Sequence, residues 1–345
     1  MRQGRKIVPL NLSNDLVGHP TFTFSLSNEA QVFVSEILDD TFSLRLSIDL
    51  GPDGSHIASL HGPPDLVELF ASLKLQVRCE IVADGYNVLT QDAIDAFVVS
   101  PESKAKLLEA LDLREGDKVL DLMSGNGAVS QLLLEYADEK AMEIALSLCD
   151  THYSQLKRID PNVRERVVDV TVGDARALPY ERESFDTVVL KMGLHEVPQL
   201  DQPLVMREVF RVLRKGGRFI IWQLLPASGV MQDVFTDIVR KSSMLARCES
   251  QAFNRYFPRQ DQLAWLFKGA GFNECEEIFR AEFAYSTQAR LSAELGGDSS
   301  KLEILNRFAR DRAPQEVRDS MFWRDTGEDI SLKVPACIYR TYKPS

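Results

Sequence analysis

Three carboxylates and a pair of glycines are the residues of this chain whose types and spacing suit binding chemistry. Asp121 lies in KVLDLMSGNGAVS (118–130), just ahead of Gly125 and Gly127. Asp150 ends the run EIALSLCD, and Asp174 sits in VGDARALPY. Glycine takes backbone angles that a Cβ obstructs, so a glycine turn brings main-chain N–H groups close to a ligand. A carboxylate at a strand end accepts from hydroxyl or amino groups, and Asp150 stands where a carboxylate accepts both hydroxyls of a ribose. Each has a plain explanation too: glycines form turns, and Asp150 ahead of THYSQL can cap a helix. Three acids at successive strand ends beside one glycine turn are harder to obtain without a ligand.

His195 is the histidine at a strand end in the same region. A neutral imidazole titrates near neutrality and suits proton removal from a phenol or an activated carbon acid. The structural alternative is that His195 shapes a pocket or caps the next turn. His195 and Glu196 do not form the zinc motif HExxH, because Gln199 stands at the place of its second histidine. Cys79, Cys149, Cys248, Cys275 and Cys337 are scattered and odd in number, without metal or redox spacing, so no metal is expected. Tyr86, Trp222 and Tyr256 can line an apolar acceptor pocket or fill a core.

The elements that must position these groups follow from apolar patterning. Val119, Leu120 and Leu122 form the run of a parallel strand covered on both faces. Helical spacing resumes at Val129, Leu132, Leu133 and Tyr136. From Pro101 onward, helices and strands alternate, which implies a parallel sheet. A helix near Ser103–Leu113 precedes the first strand. Strands are predicted to end at Asp150 and Asp174, with FDTVVLKM and RFIIWQLL as the fourth and fifth. PLVMREVFRVLRKGG reads as a helix stopped by its paired glycines. CEEIFRAEFAY and ACIYRTYKP read as two closing strands, with a helical insertion near 287–320 between them. That insertion, with Phe308 on its apolar face, is expected to act as a lid, the alternative being a helix packed against the outer edge of the sheet.

Ahead of this lies a different rhythm. Phe22, Phe24 and Leu26 alternate with polar residues, as do Leu44, Leu46, Ile48 and Leu50, and DLVELFASLKL has helical spacing. Residues 1–80 are therefore expected to be a small antiparallel α+β module, structural or dimerising. Residues 81–105 form a helical connector ending before Pro101, and 106–345 the main domain.

Hydrophobic content of 44% and charged content of 26% are ordinary for a soluble globular protein. The net charge of -11 disfavours broad binding to nucleic acid or an anionic membrane. No run approaches the ~20 apolar residues of a membrane span. The N-terminus lacks the apolar core of a secretory signal. The partners expected are a small-molecule substrate and a second copy of the chain, and the location expected is cytoplasmic.

Taken in order, these motifs resemble the class I S-adenosylmethionine-dependent methyltransferases. The resemblance covers roughly Pro101 to Phe272. VLDLMSGNG is similar to the family's acid-led glycine motif, and LSLCD to its second. VGDARALPYERESFDTVVL resembles the stretch that cradles adenine and opens the fourth strand. LVMREVFRVLRKGGRFIIW resembles the following helix, glycine pair and strand. YFPRQDQLAWLFKGAGF resembles the closing helix of the small-molecule branch that includes the quinone C-methyltransferases and type 11 methyltransferases. The resemblance implies a doubly wound Rossmann-like seven-stranded sheet with an antiparallel final strand, and S-adenosylmethionine as cofactor. It implies that Gly125, Asn126 and Gly127 pass close to the methionine moiety, and that Asp121 orients its amino group. Asp150, with Thr151 behind it, would hold the ribose. Asp174 and the Ala175 N–H would meet adenine, and Lys191 main-chain atoms would touch the cofactor. Met123 stands at the place of the motif's first glycine, and KMGLHEVP at that of an Asn-containing element of the quinone branch.

The activity implied is in-line methyl transfer to a small organic acceptor. The rival classes are an NAD-dependent oxidoreductase, since GNGAVS partly fits G-x-G-x-x-G/A, and a cofactor-binding protein without methyl transfer. A cysteine-using arsenic methyltransferase and a cofactor-assisted cyclase are further alternatives.

Overall fold

The computed structural model describes residues 100–345, except Arg247 and the side chains of Glu249 and Ser250, together with the backbone of five N-terminal strands. The chain divides into two units, Met1–Ala83 and Asp84–Ser345.

In the first unit, β1 (Lys6–Leu10), β4 (His56–His61) and β3 (Arg45–Leu50) form an antiparallel sheet in the order β1-β4-β3. A second antiparallel ladder joins β2 (His19–Ser25) to β5 (Gln76–Val82). The alternating segments are thus strands, in two ladders rather than one sheet. The helix expected at DLVELFASLKL, the helical connector ahead of Ser100, and Tyr86 lie outside the described residues.

The second unit is organised by a sheet in the order β8-β7-β6-β9-β10-β13-β11. Its parallel strands are β6 (Lys118–Leu122), β7 (Ala145–Asp150), β8 (Asp169–Val172), β9 (Phe185–Lys191) and β10 (Leu213–Leu224). β13 (Ile330–Tyr342) runs antiparallel between β10 and β11 (Glu276–Ser286), and the two-residue β12 (Arg324–Asp325) pairs with it. This is the seven-stranded sheet with an antiparallel final strand that the motifs imply.

Strand residues alternate between two cores. Leu120, Leu122, Val188, Leu190, Phe219 and Ile221 pack with α5 (Gln202–Val212) and α8 (Gln260–Ala270). Val119, Leu146, Leu148, Val189 and Ile220 pack with α1 (Pro101–Leu111) and α2 (Ala128–Glu139). Burial on both faces explains the unbroken apolar runs. The short helices α3 (Tyr153–Leu156) and α4 (Pro161–Arg166) connect β7 to β8.

Three boundaries differ from the sequence reading. α1 begins at Pro101, capped by Ser100 Oγ, which accepts from the Ser103 N–H at 3.2 Å, and so it runs through the expected boundary at 106. β8 ends at Val172, leaving Asp174 in the loop beyond it. α5 stops at Val212, before the paired glycines, and the chain enters β10 at once. Gly216 and Gly217 instead accompany a register shift within β10. A Cβ on Gly217 would lie 2.8 Å from the Arg214 carbonyl oxygen, so close backbone approach requires the glycine there.

The remaining helices are α6 (Gly229–Leu245), α7 (Glu249–Asn254), α9 (Thr287–Ala293), α10 (Ser299–Arg312) and α11 (Gln315–Ser320), of which α6 and α9 carry residues of the second wall of the site. Leu302, Leu305 and Ala309 of α10 share one core with Val234, Phe235 and Ile238 of α6. Among the described residues, no helix is long and apolar enough to cross a membrane.

Candidate active site

In the sheet order, the chain winds outward from β6 in one direction and from β9 in the other. The crevice between them at the carboxyl ends of the strands is where such sheets take ligands. A cavity of about 240 Å³ opens there, far more than one water needs. One wall comes from the strand ends and carries Asp121, Met123, Ser124, Gly125, Asn126, Asp150 and Lys191.

Asp150 organises this wall. Its Oδ2 accepts from the Gly125 N–H at 2.8 Å, and its Oδ1 from the His152 N–H at 2.7 Å. The carboxylate thus fastens the glycine turn to the end of β7. Asp121 is fully enclosed and accepts from Ser130 Oγ at 2.7 Å. Burial is the main reason its carboxyl is pushed up to about 7, against the Ser130 donors. Lys191 is part-buried, and that burial lowers its ammonium while the Asp121 charge opposes the shift. Ser124 Oγ and Gln155 Nε2 are buried on the same wall without hydrogen-bond partners.

Met123 holds a left-handed conformation, φ 56°, which a glycine takes more easily. The turn therefore keeps its glycine-like path despite the side chain. The room comes from Gly193, where a Cβ would lie 2.7 Å from both Cβ and Sδ of Met123.

His195 follows β9 in a short 3-10 turn and reaches the cavity. Its ring stacks on Phe257 at 4.5 Å. Nδ1 lies 2.9 Å from Nε2 of the fully buried Gln223. With the amide nitrogen facing it, Nδ1 accepts and the ring proton sits on Nε2. Gln223 Oε1 is buried without a partner. A half-turn of that amide makes Oε1 the acceptor, moves the proton to Nδ1 and leaves Nε2 as the basic nitrogen. Burial, then the charge of Arg255, hold the imidazole well below its usual range, with the Gln223 bond opposing, so it is neutral at physiological pH.

The second wall is apolar with a charged rim. Leu224, Phe235, Val239 and Phe257 supply the surface, and Glu196, Arg255, Arg290 and Glu294 the charge. Arg290 pairs with Glu294, whose other oxygen accepts from Ser242 Oγ at 2.6 Å. Arg255 Nη1 donates to Glu196 Oε1 at 3.3 Å.

Comparison with known proteins places this geometry. Residues 79–280, more than half of the chain, match the model of the ubiE/COQ5 methyltransferase family. The chain belongs to the ubiE/COQ5 methyltransferase family. A ubiquinone/menaquinone biosynthesis C-methyltransferase from Bartonella henselae is 30% identical over 168 residues, covering 45% of this chain and 64% of the relative. The corresponding protein of Rickettsia akari is 29% identical over 178 residues, covering 45% and 68%. The chain thus spans just under two thirds of the first of these. The crystal structure of the YcgJ protein from Bacillus subtilis superposes with a TM-score of 0.59 at 17% identity, covering 71% of this chain and all of that one, and shows the same fold. The oxidoreductase alternative gains no support from these relatives.

Within this methyltransferase-family sheet, the site residues read from the sequence separate into two groups. Asp121, Met123, Gly125, Asn126, Asp150, Lys191 and His195 come together on the cavity. Gly127 caps α2 just behind the turn, and Thr151 is exposed beside it. Asp174 and Ala175 do not line the cavity. Burial alone would raise the Asp174 carboxyl, but Arg176 side-chain and backbone donors hold it below its ordinary value. Ala175 is in the core. Trp222 is a core residue rather than a pocket aromatic, lying behind Lys191, whose Nζ is 5.5 Å from its ring centre. Tyr256 is also off the cavity, its hydroxyl accepting from Gln262 Nε2 at 2.8 Å. Phe308 is not in the lining; Lys241 Nζ lies 5.6 Å from its ring centre. Of the expected lid, only Arg290 and Glu294 reach the cavity.

The sequence reading did not find Gln155, Gln223, Arg255, Arg290 or Glu294. Gln223 carried a signal, being the polar residue in the apolar run RFIIWQLL, and Arg290 and Glu294 stand at the i,i+4 spacing of a helical ion pair.

Proposed function

We propose that this chain transfers a methyl group from S-adenosylmethionine to a small organic acceptor. The observation that carries this reading is the convergence of Asp121, Asp150 and the turn around Gly125 on one cavity at the strand switch of a methyltransferase-family sheet. The orphaned Ser124 Oγ and Gln155 Nε2 suit a ligand rich in polar groups.

When bound, S-adenosylmethionine supplies an electrophilic methyl carbon whose bonding pair returns to sulfur as the acceptor's bond forms. Asp150 would hold the ribose hydroxyls with the lone pairs left over by the Gly125 and His152 N–H groups and the His152 ring nitrogen at 3.3 Å. Asp121 accepts from the methionine ammonium, which draws the buried carboxyl into its charged form. The apolar second wall excludes water from the methyl and orients the acceptor. His195, in its Nδ1–H form, takes the acceptor's proton at Nε2 when the accepting atom carries one. Asp174 and Ala175 have no part in this reading.

The reading extends to setting. The described cysteines are all free thiols, which suits a reducing cytoplasm. The antiparallel ladders of the N-terminal unit have edges on which two copies can pair, which supports a dimerising module.

Calorimetry with S-adenosylhomocysteine, run beside NAD, tests the core of the proposal. Saturable binding of the sulfur ligand with little heat from NAD is expected. Tight NAD binding with no response to S-adenosylhomocysteine overturns it.

A further inference from the structure

The second wall holds a cation with unused donors. Arg255 is largely enclosed, with 13% of its side chain exposed. Among the described residues its one side-chain hydrogen bond is the 3.3 Å contact from Nη1 to Glu196, long for a charge-assisted pair. Nε is buried and has no partner. Leaving a charged donor buried and unpaired is costly, so an enclosed guanidinium edge of this kind asks for an acceptor.

The surroundings hold that edge in place. The Arg255 carbonyl accepts from Arg240 Nε at 2.9 Å. The next residue ties to the catalytic turn, with the Tyr256 N–H donating to the His195 carbonyl at 2.9 Å. The neighbouring Arg290 pairs with Glu294, which also accepts from Ser242 Oγ. The Nε and Nη2 hydrogens of a guanidinium point in parallel and fit the two oxygens of one carboxylate. Beside them, Phe235, Phe257 and Val239 offer an apolar surface for the body that carries it.

We propose that the methyl acceptor is an organic carboxylate, received by the Nε–Nη2 edge of Arg255 with its apolar or aromatic body against Phe235 and Phe257. This deepens the methyl-transfer reading and rests on it. The acceptor class is then set by a side chain of the helical wall, and differs from a neutral quinone.

The test uses the full chain saturated with S-adenosylhomocysteine and two probes of one shape, 3,4-dihydroxybenzoate and 3,4-dihydroxybenzamide. Binding of the acid at least about tenfold tighter than the amide is expected, the scale of one bidentate charge-assisted contact. Arg255→Gln should abolish that preference while S-adenosylhomocysteine affinity is kept, and Arg255→Lys should restore only part of it. Glu196→Gln, which removes the competing negative charge, should tighten the acid severalfold, and decides the matter if the Arg255 variants do not fold. Equal affinity for acid and amide, no binding of either, or a preference that survives Arg255→Gln overturns the proposal alone. Absence of S-adenosylhomocysteine binding overturns the methyl-transfer reading together with it.

Discussion

The two walls of the cavity are built on different principles. The strand-end wall is held by main-chain geometry: β6, β7 and β9 deliver Asp121, Asp150 and Lys191 at positions that the sheet register fixes. The helical wall is held by side-chain pairs, Arg290 with Glu294 one helical turn on, and Arg255 with Glu196 from a segment 59 residues away. A register cannot be altered by one substitution, whereas an ion pair can. The first wall is therefore the harder of the two to remodel by single substitutions.

The largest expected effect lies where the walls meet. His195→Ala should lower kcat on a proton-bearing acceptor by about 10²–10⁴, the usual worth of a general base, with S-adenosylmethionine affinity nearly kept. Gln223→Glu should preserve catalysis and move the pH profile upward, because a carboxylate at Nδ1 favours the imidazolium. A flat response to both would make His195 a wall residue and leave the walls without a catalytic joint.

Next in size is Asp121. Its folded carboxyl is raised to about 7 from 3.8, so between those values the folded state holds a proton that the unfolded state has released. Stability linked to this group is full below pH 3.8 and lost as pH rises toward 7. Asp121→Asn should therefore stabilise the ligand-free protein at pH 8 by about 2–4 kcal/mol, with the gain shrinking from pH 7 toward pH 4. Thermal melts across that range check the sign; a gain that grows on acidification breaks the account.

Asp150→Ala should weaken S-adenosylhomocysteine binding by about tenfold to several hundredfold. Part of that loss is the released Gly125 turn, so Asp150→Asn, which keeps one acceptor oxygen, should lose less. Calorimetry on variants with native circular dichroism separates the two, and an unchanged dissociation constant would reduce Asp150 to a loop fastener.

The smallest effect is expected far from both walls. Phe308→Ala should cost about 1 kcal/mol or less, as a partly exposed aromatic beside Lys241, and leave kinetics unchanged. A raised acceptor KM in that variant would restore the lid that the packing of α10 against α6 argues against.

The same contrast explains what was legible in the sequence. Parallel strands announce themselves by apolar runs, and ligands collect at their carboxyl ends, so Asp121, Gly125 and Asp150 stood out. Asp174 has the same local pattern, but its Arg176 partner sits two residues away across a turn, a pairing with no periodic trace. Trp222 and Gln223 differ by one strand position and so face opposite sides of the sheet; which side held the site was not written in the run itself. Arg255 and Arg290 meet only through folding, and nothing in their separate neighbourhoods pairs them.

β13 lies between β10 and β11 although it follows both in the chain. During synthesis β10 must therefore wait with one edge bare, and β11 has no neighbour to settle on, until residues 330–342 arrive. That interval exposes a long apolar strand to any other unpaired edge in the cell. Newly made chains should thus need shielding more than finished ones, and heterologous yield should respond to how fast and how crowded their production is.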